Sequence, residues 1–282
     1  LTAAGAVDLG PSTVGGALSV TTTGPITDSG NLSITGTTSL SPAAGNSVTL
    51  DSASNDFGGA VGVANGLNVT LVDANAIVLG AITITGTLNV TSTGSITDSG
   101  NLSITGTTTL AAGAGNDITL NNADNFGGAV TVTSGNNVTL NDTGALSIAS
   151  AVVTTNFTLT AAGAVDLGPS TVGGALSVTT TGAITDSGAL LITGTTSLSP
   201  AAGNSVTLDE ATNNFIGAVG VANGLNVTLV DANAIVLGAI SITGALSVSS
   251  TGAITDTGAL SIGTTTSLAA GAANDITLNN AN

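Results

Sequence analysis

The side chains in this chain with chemistry to offer are carboxylates, hydroxyls and amides. Its 282 residues hold fifteen Asp and one Glu and no Lys, Arg, His or Cys. Any general base must be a carboxylate, no thiol nucleophile exists, and no basic side chain stands ready to stabilise a developing negative charge. A carboxylate pair of the kind that hydrolyses glycosidic bonds is the one catalytic arrangement these residues could make. The spacing argues against it. Asp28, Asp98, Asp186 and Asp256 occupy Ile-Thr-Asp-(Ser/Thr)-Gly turns, Asp73 and Asp231 sit in Leu-Val-Asp-Ala-Asn, and Asp8 and Asp166 in Val-Asp-Leu-Gly. An active site is one asymmetric constellation, whereas these acids recur with the repeats. The adjacent Asp209 and Glu210 read as a solvated turn. The expectation is therefore no enzyme, and no catalytic, cofactor-binding or metal-ligating residue.

Calcium is the cation that Asp, Asn and backbone carbonyls could serve. The segments AGAGNDITL (112–120) and AGAANDITL (270–278) approach the glycine-rich calcium repeat, but Ala replaces most of its glycines and the motif is not in direct tandem. Local Asx-turn hydrogen bonds are the expected role of each Asp. Divalent ions such as calcium are expected to bridge acidic chains diffusely rather than fill a cage. The sequons at Asn68, Asn137 and Asn226 are what chance supplies in a chain this rich in Asn and Thr.

The formal charge of −16, with no basic residue to offset it, excludes nucleic acid as a partner. The same charge removes electrostatic attraction to anionic lipid, and the longest apolar run, Ile77 to Ile82, is far too short for a membrane span. Only four aromatic residues occur, Phe57, Phe126, Phe157 and Phe215, so Val, Ile, Leu and Ala must build the core. Small branched side chains suit a thin core and favour strands. Forty glycines and abundant Thr, Ser, Asn and Asp break the chain too often for helices of ordinary length.

Self-similarity decides the architecture. Residues 1–24 recur unchanged at 159–182 and residues 60–80 at 218–238, a constant offset of 158, and about 105 of the 124 positions in 1–124 match 159–282. Nested inside is a shorter repeat, marked by ITDSGNLSITGTT from Ile26 and again from Ile96, then by ITDSGALLITGTT from Ile184 and ITDTGALSIGTTT from Ile254. Its first and last steps are equal, whereas the middle step is longer, and the extra length falls around residues 156–174, which carry two strand-like triplets. A sandwich domain would not accept such a piece in its middle. A solenoid takes it as one more coil.

Alternating triplets such as Leu18-Ser19-Val20, Leu32-Ser33-Ile34, Val48-Thr49-Leu50, Val69-Thr70-Leu71 and Ile77-Val78-Leu79 each place two apolar side chains on one face. Their spacing predicts coils of roughly 17 to 23 residues with two or three short strands each, stacked into a rod on the order of 70 Å long. The expected fold is all-β, a parallel β-solenoid, with residues 1–282 forming one continuous stack: long repeats 1–158 and an incomplete 159–282, each holding the short repeat. Outward Asn and Thr are expected to form side-chain ladders between coils. Ordered water or ice on rows such as Thr21-Thr22-Thr23 and Thr83-Ile84-Thr85 is the sharper alternative. Neither Leu1 nor Asn282 carries a capping element, so the chain reads as an uncapped fragment of a longer rod.

The units ITDSGNLSITGTT, GNDITLNNADNFGGAVTVTSGNNVTL and LVDANAIVLGAI resemble the repeats of giant bacterial surface proteins of the filamentous haemagglutinin type, over essentially the whole chain. The resemblance implies a right-handed parallel β-helix, export by a two-partner or related outer-membrane route, an extracellular or cell-surface location, and a part in adhesion, aggregation or biofilm. The function expected is that of a structural or adhesive fibre segment that self-associates end to end or laterally and meets a host cell, a neighbouring cell or matrix. The alternative is a β-helix that binds carbohydrate or cleaves polysaccharide. Against it stands the near absence of the aromatic rings that stack on sugars.

Overall fold

In the computed structural model, which describes every residue except Ala281, the chain is all-β and every strand pairing is parallel. No helix long and apolar enough to cross a membrane occurs among the described residues. The chain divides into two compact units, Leu1–Thr143 and Gly144–Asn282.

In the first unit each coil has a straight side and a bent side. The straight side is one strand, first Leu18–Thr22, then Thr38–Pro42 and Val61–Gly66. The bent side is two triplets meeting at a corner, first Ile26–Asp28 and Leu32–Ile34. Coils stack in register: Leu18 pairs with Thr38, Thr38 with Val61, and Ile26 with Val48. All three steps fall within the coil length that the triplet spacing predicts. Alternation does the sorting, because successive side chains on a strand point to opposite faces. Val20, Leu40 and Val63 face in and are 0–2% exposed, while Ser19 and Ser39 face out.

Partway through the unit the two sides trade places. The triplet Val48–Leu50 is followed on its own sheet by the five-residue strand Val69–Asp73, with Val48 opposite Val69. On the other sheet the straight Val61–Gly66 is followed by the long bent strand Ile77–Ile84. There the register slips, with Val61 opposite Leu79 but Val63 opposite Ile82. The straight side then continues as Leu88–Ser92, Thr108–Ala111 and Val130–Gly135, and the bent side as Ile96–Asp98 with Leu102–Ile104, then Ile118–Phe126.

This exchange follows from the repeat length. Down the sheet of Ile26, successive coils present Val48, Val69, Leu88 and Thr108 in register. Ile96, the repeat-mate of Ile26, falls between the last two of these, so one short repeat spans a half-integral number of coils and equivalent motifs land on opposite sides. Ile26 stacks between Val7 and Val48, whereas Ile96 stacks between Ile77 and Ile118 on the other sheet.

The second unit repeats the plan. Phe157–Ala161, Leu176–Thr180, Thr196–Pro200 and Val219–Gly224 form the straight side. The bent side is Leu146–Val153, then Val165–Leu167 with Ser170–Val172, then Ile184–Asp186 with Leu190–Ile192. Here too the sides exchange: Val206–Leu208 gives way to Val227–Asp231, and Val219–Gly224 to Ile235–Ile242. The additional residues around 156–174 do form one coil, with Leu146 opposite Val165 and Phe157 opposite Leu176.

Turns between strands stack as closely as the strands do. Gly94 donates to the Asn75 carbonyl one coil away at 3.0 Å, and a Cβ on Gly94 would lie 2.6 Å from the Ala76 nitrogen. Only glycine fits that approach.

Candidate functional site

Where the outer triplet of the bent side ends its ladder, polar side chains take over the hydrogen bonding. In the first unit Leu32–Ile34 is followed by the two-residue strand Asp56–Phe57, with Ile34 opposite Phe57. Phe57 is 2% exposed and fills the corner. Beneath it no third triplet follows, so the Phe57 N–H donates 3.1 Å to the Asp73 carboxylate instead of a strand carbonyl. The Ala74 N–H donates to the Asn55 carbonyl at 2.7 Å. The Asp73 side chain thus satisfies a backbone group that the altered coil would otherwise leave bare.

Asn55, fully buried, is the hub of the joint. Its Oδ1 accepts from the Leu32 N–H at 2.8 Å and its Nδ2 donates to Asp28 Oδ2 at 2.7 Å. Asp28 also accepts from the Asp51 and Ser52 backbone at 2.9 and 3.3 Å. The second unit copies this arrangement. Asn213 accepts from Leu190 at 2.8 Å and donates to Asp186 at 2.6 Å, while Phe215 donates to Asp231 at 2.9 Å. Near the end of the chain, Asn282 accepts from Leu260 at 2.9 Å and donates to Asp256 at 3.0 Å.

One joint differs. Where the other three have Asn, the joint of Asp98 has Asp124. Its Oδ1 accepts from the Leu102 N–H at 2.8 Å, and its Oδ2, buried, has no hydrogen-bond donor. Asp98 meanwhile accepts from the Asn121 and Asn122 backbone, both at 3.2 Å.

The electrostatics follow the geometry. Burial raises the Asp73 carboxyl above its ordinary range against the opposing bonds from Asn75 and Phe57, and raises Asp231 in the same way against those from Phe215 and Asn233. Burial likewise raises Asp186 against the donors Asn213, Asp209 and Glu210. Asp124 is pushed furthest, to about 7, by burial and then by the neighbouring carboxylates Asp98 and Asp142.

The acidic residues prominent in the sequence divide between local bonds and bonds to the adjacent coil. Asp73 and Asp231 do make local Asx bonds, to Asn75 at 2.8 Å and Asn233 at 2.7 Å. Asp28, Asp98, Asp186 and Asp256 do not: they bind groups in the next coil, because the turn that holds them is stacked directly against the next. Asp209 and Glu210 are exposed, and their backbone nitrogens donate to Asp186. Asp117, in the calcium-like segment, accepts at 2.9–3.0 Å from Asn136 Nδ2 and from the Asn137 backbone and amide, bonds that hold its carboxyl below the usual range. Asp8 and Asp166 take hydroxyls from the next coil, Thr27 at 3.4 Å and Thr185 at 3.0 Å.

Outward threonines stack in a row through Thr27, Thr49 and Thr70 and, past Asn89, through Thr109 and Thr131. The amides bond differently from the expected Asn ladder, reaching mostly to the backbone of the adjacent coil. Asn68 Oδ1 accepts from the Thr87 N–H at 2.9 Å, and Asn46 Nδ2 donates to the Thr23 carbonyl at 3.3 Å. Backbone N–H and C=O groups lie at fixed spacing in every coil, so an amide finds one more readily than another amide.

Among the described residues no three carboxylates converge as metal ligands would. A cavity of about 350 Å³ lies over the last coil, lined by Leu260, Ile262, Thr266, Leu278 and Asn282.

Stacked parallel coils, an apolar interior and side-chain joints at repeat spacing define a repeat protein of the β-solenoid class. The chain belongs to the family of repeats of unknown function (DUF5649), whose model matches residues 1–64, 66–133, 154–222 and 224–282. The stretch left between the second and third matches, 134–153, is one coil long. No curated protein and no solved structure matches the chain.

Proposed function

We propose that this chain is a structural segment of an extracellular fibre, of the filamentous haemagglutinin type that its repeats resemble, serving adhesion or aggregation at a bacterial surface. The observation that carries this reading is where the reactive side chains go. The carboxylates that recur with the repeats are bonded to the adjacent coil, so the chain's chemistry is used in building length. Outer faces carry rows of Thr, Ser and Asn with acids interspersed, a surface suited to weak contacts repeated many times.

A charge of −16 without any basic side chain keeps such segments apart at low ionic strength. Calcium or high salt removes that repulsion, so light scattering of the purified chain is expected to rise across a calcium titration and to reverse with chelator. Scattering that stays flat throughout the calcium titration and in high salt, together with native material showing no filaments by electron microscopy, overturns the reading.

A further inference from the structure

We propose that Asp98 and Asp124 share one proton in the folded protein, making their joint a pH-responsive corner within the first unit. The other three joints set the pattern. In each, an amide nitrogen points at the second oxygen of the Ile-Thr-Asp carboxylate: Asn55 at Asp28 over 2.7 Å, Asn213 at Asp186 over 2.6 Å and Asn282 at Asp256 over 3.0 Å. The fold therefore requires a hydrogen on that atom. Asp124 occupies the same place, and its Oδ1 performs the first half of the amide's task by accepting from Leu102. Its Oδ2 stands where the others have an N–H, is buried, and has no donor from the protein. A proton on Asp124 restores the missing donor and removes one of two facing negative charges.

Nothing else nearby can neutralise the pair. Of the strands packed around Asp124, Ile96–Asp98 carries Asp98 and Val138–Asp142 carries Asp142, which adds a third negative charge. Leu102–Ile104 carries no titratable side chain, and the whole sequence holds no Lys, Arg or His. The carboxyl at about 7 agrees with this geometry. A raised pKa means that the folded unit holds a proton that the unfolded chain releases, so the joint is tightest under mild acid and loosens as pH rises through neutrality.

The test is a carboxyl 13C NMR titration of the full chain beside Asp124→Asn and Asp98→Asn. The expected result is one carboxyl titrating near neutrality in the parent protein and none there in either variant. Asp124→Asn, which installs the amide of the other joints, is also expected to flatten the fall in thermal midpoint between about pH 4 and pH 7. Two results overturn the proposal. One is a parent protein in which every carboxyl titrates below about pH 5.5. The other is stoichiometric calcium held at neutral pH and lost in Asp124→Asn, which puts a cation where the proton is placed. Should one variant fail to fold, the other gives the same comparison.

Discussion

Residues 1–124 and 159–282 agree at about 105 of 124 positions, and the places where they disagree separate what the coil tolerates from what it does not. Every differing residue but one is exposed or half-buried in the first unit, including Pro25, Asn31, Ser52, Thr87, Asn101 and Gly115. The exception is Asp124, against Asn282. The inward columns and the buried side chains of the joints are otherwise unchanged, which is what close packing demands: a methylene added or lost inside a stack one side chain deep has nowhere to be absorbed. A single buried exchange of Asn for Asp is thus the change with the greatest physical consequence.

Removing the hub amide is expected to have the largest effect. Asn55→Ala leaves the Leu32 N–H without its acceptor and Asp28 without its amide donor, both in the interior. A loss on the order of 3 kcal/mol is expected in the first unit, and Asn213→Ala should cost the second unit about as much. Hydrogen exchange reads this locally, as lost protection at Leu32 or Leu190. Asn55→Asp builds a second acid pair, with Asp28. Its stability should fall as pH rises above about 4, where the unfolded carboxyl ionises and the buried one resists, and should approach that of the parent protein near pH 4. A variant equally stable at pH 4 and pH 8 would remove the distinction between the two kinds of joint.

A smaller effect is expected at three buried threonines. Thr38, Thr108 and Thr196 each sit in an inward column, between Leu18 and Val61, Leu88 and Val130, and Leu176 and Val219, and their hydroxyls have no partner. Val is nearly the same shape without the unpaired hydroxyl. Each Thr→Val should therefore stabilise its unit by about 1 kcal/mol, measured by denaturant unfolding.

Much of the coil was legible in the sequence. Triplet spacing predicts the coil length that the registers show, and the additional stretch around 156–174 is a coil of its own. The exchange of straight and bent sides was not legible. Alternation says which side chains face in, as at Leu18 and Val20, but not on which side of the coil a strand lies. That depends on the fractional number of coils in one short repeat, and hence on small variations in turn length. The joints were hidden for a related reason. Asp28 is visible as a turn residue, yet its partners lie a full coil ahead, and Asn55 sits in the variable-looking stretch 51–56 with nothing local to mark it as buried. The one available signal was its place two residues before Phe57, held by Asn213 before Phe215, with Asp124 before Phe126 as the departure.

The smallest effect concerns the outside of the second unit, where the comparison turns on surface rather than stability. Ser33, Asp56 and Gly58 of the first unit correspond to Leu191, Asn214 and Ile216. Thr171, Leu191 and Asn214 are stacked on successive coils of one outward face, with Val152 opposite Thr171, and Val152, Leu191 and Ile216 are 54%, 39% and 56% exposed. The changes strip a charge from one face and add two large apolar side chains to it. Leu191→Ser and Ile216→Ser are each expected to alter unfolding free energy by less than about 0.5 kcal/mol, because neither side chain fills the core. Together they should reduce binding of an apolar dye, and Ser33→Leu should raise it in the first unit. If the double variant bound dye as well as the parent protein, this row would be an ordinary scatter of surface residues, and the two units would differ in outward character only by charge.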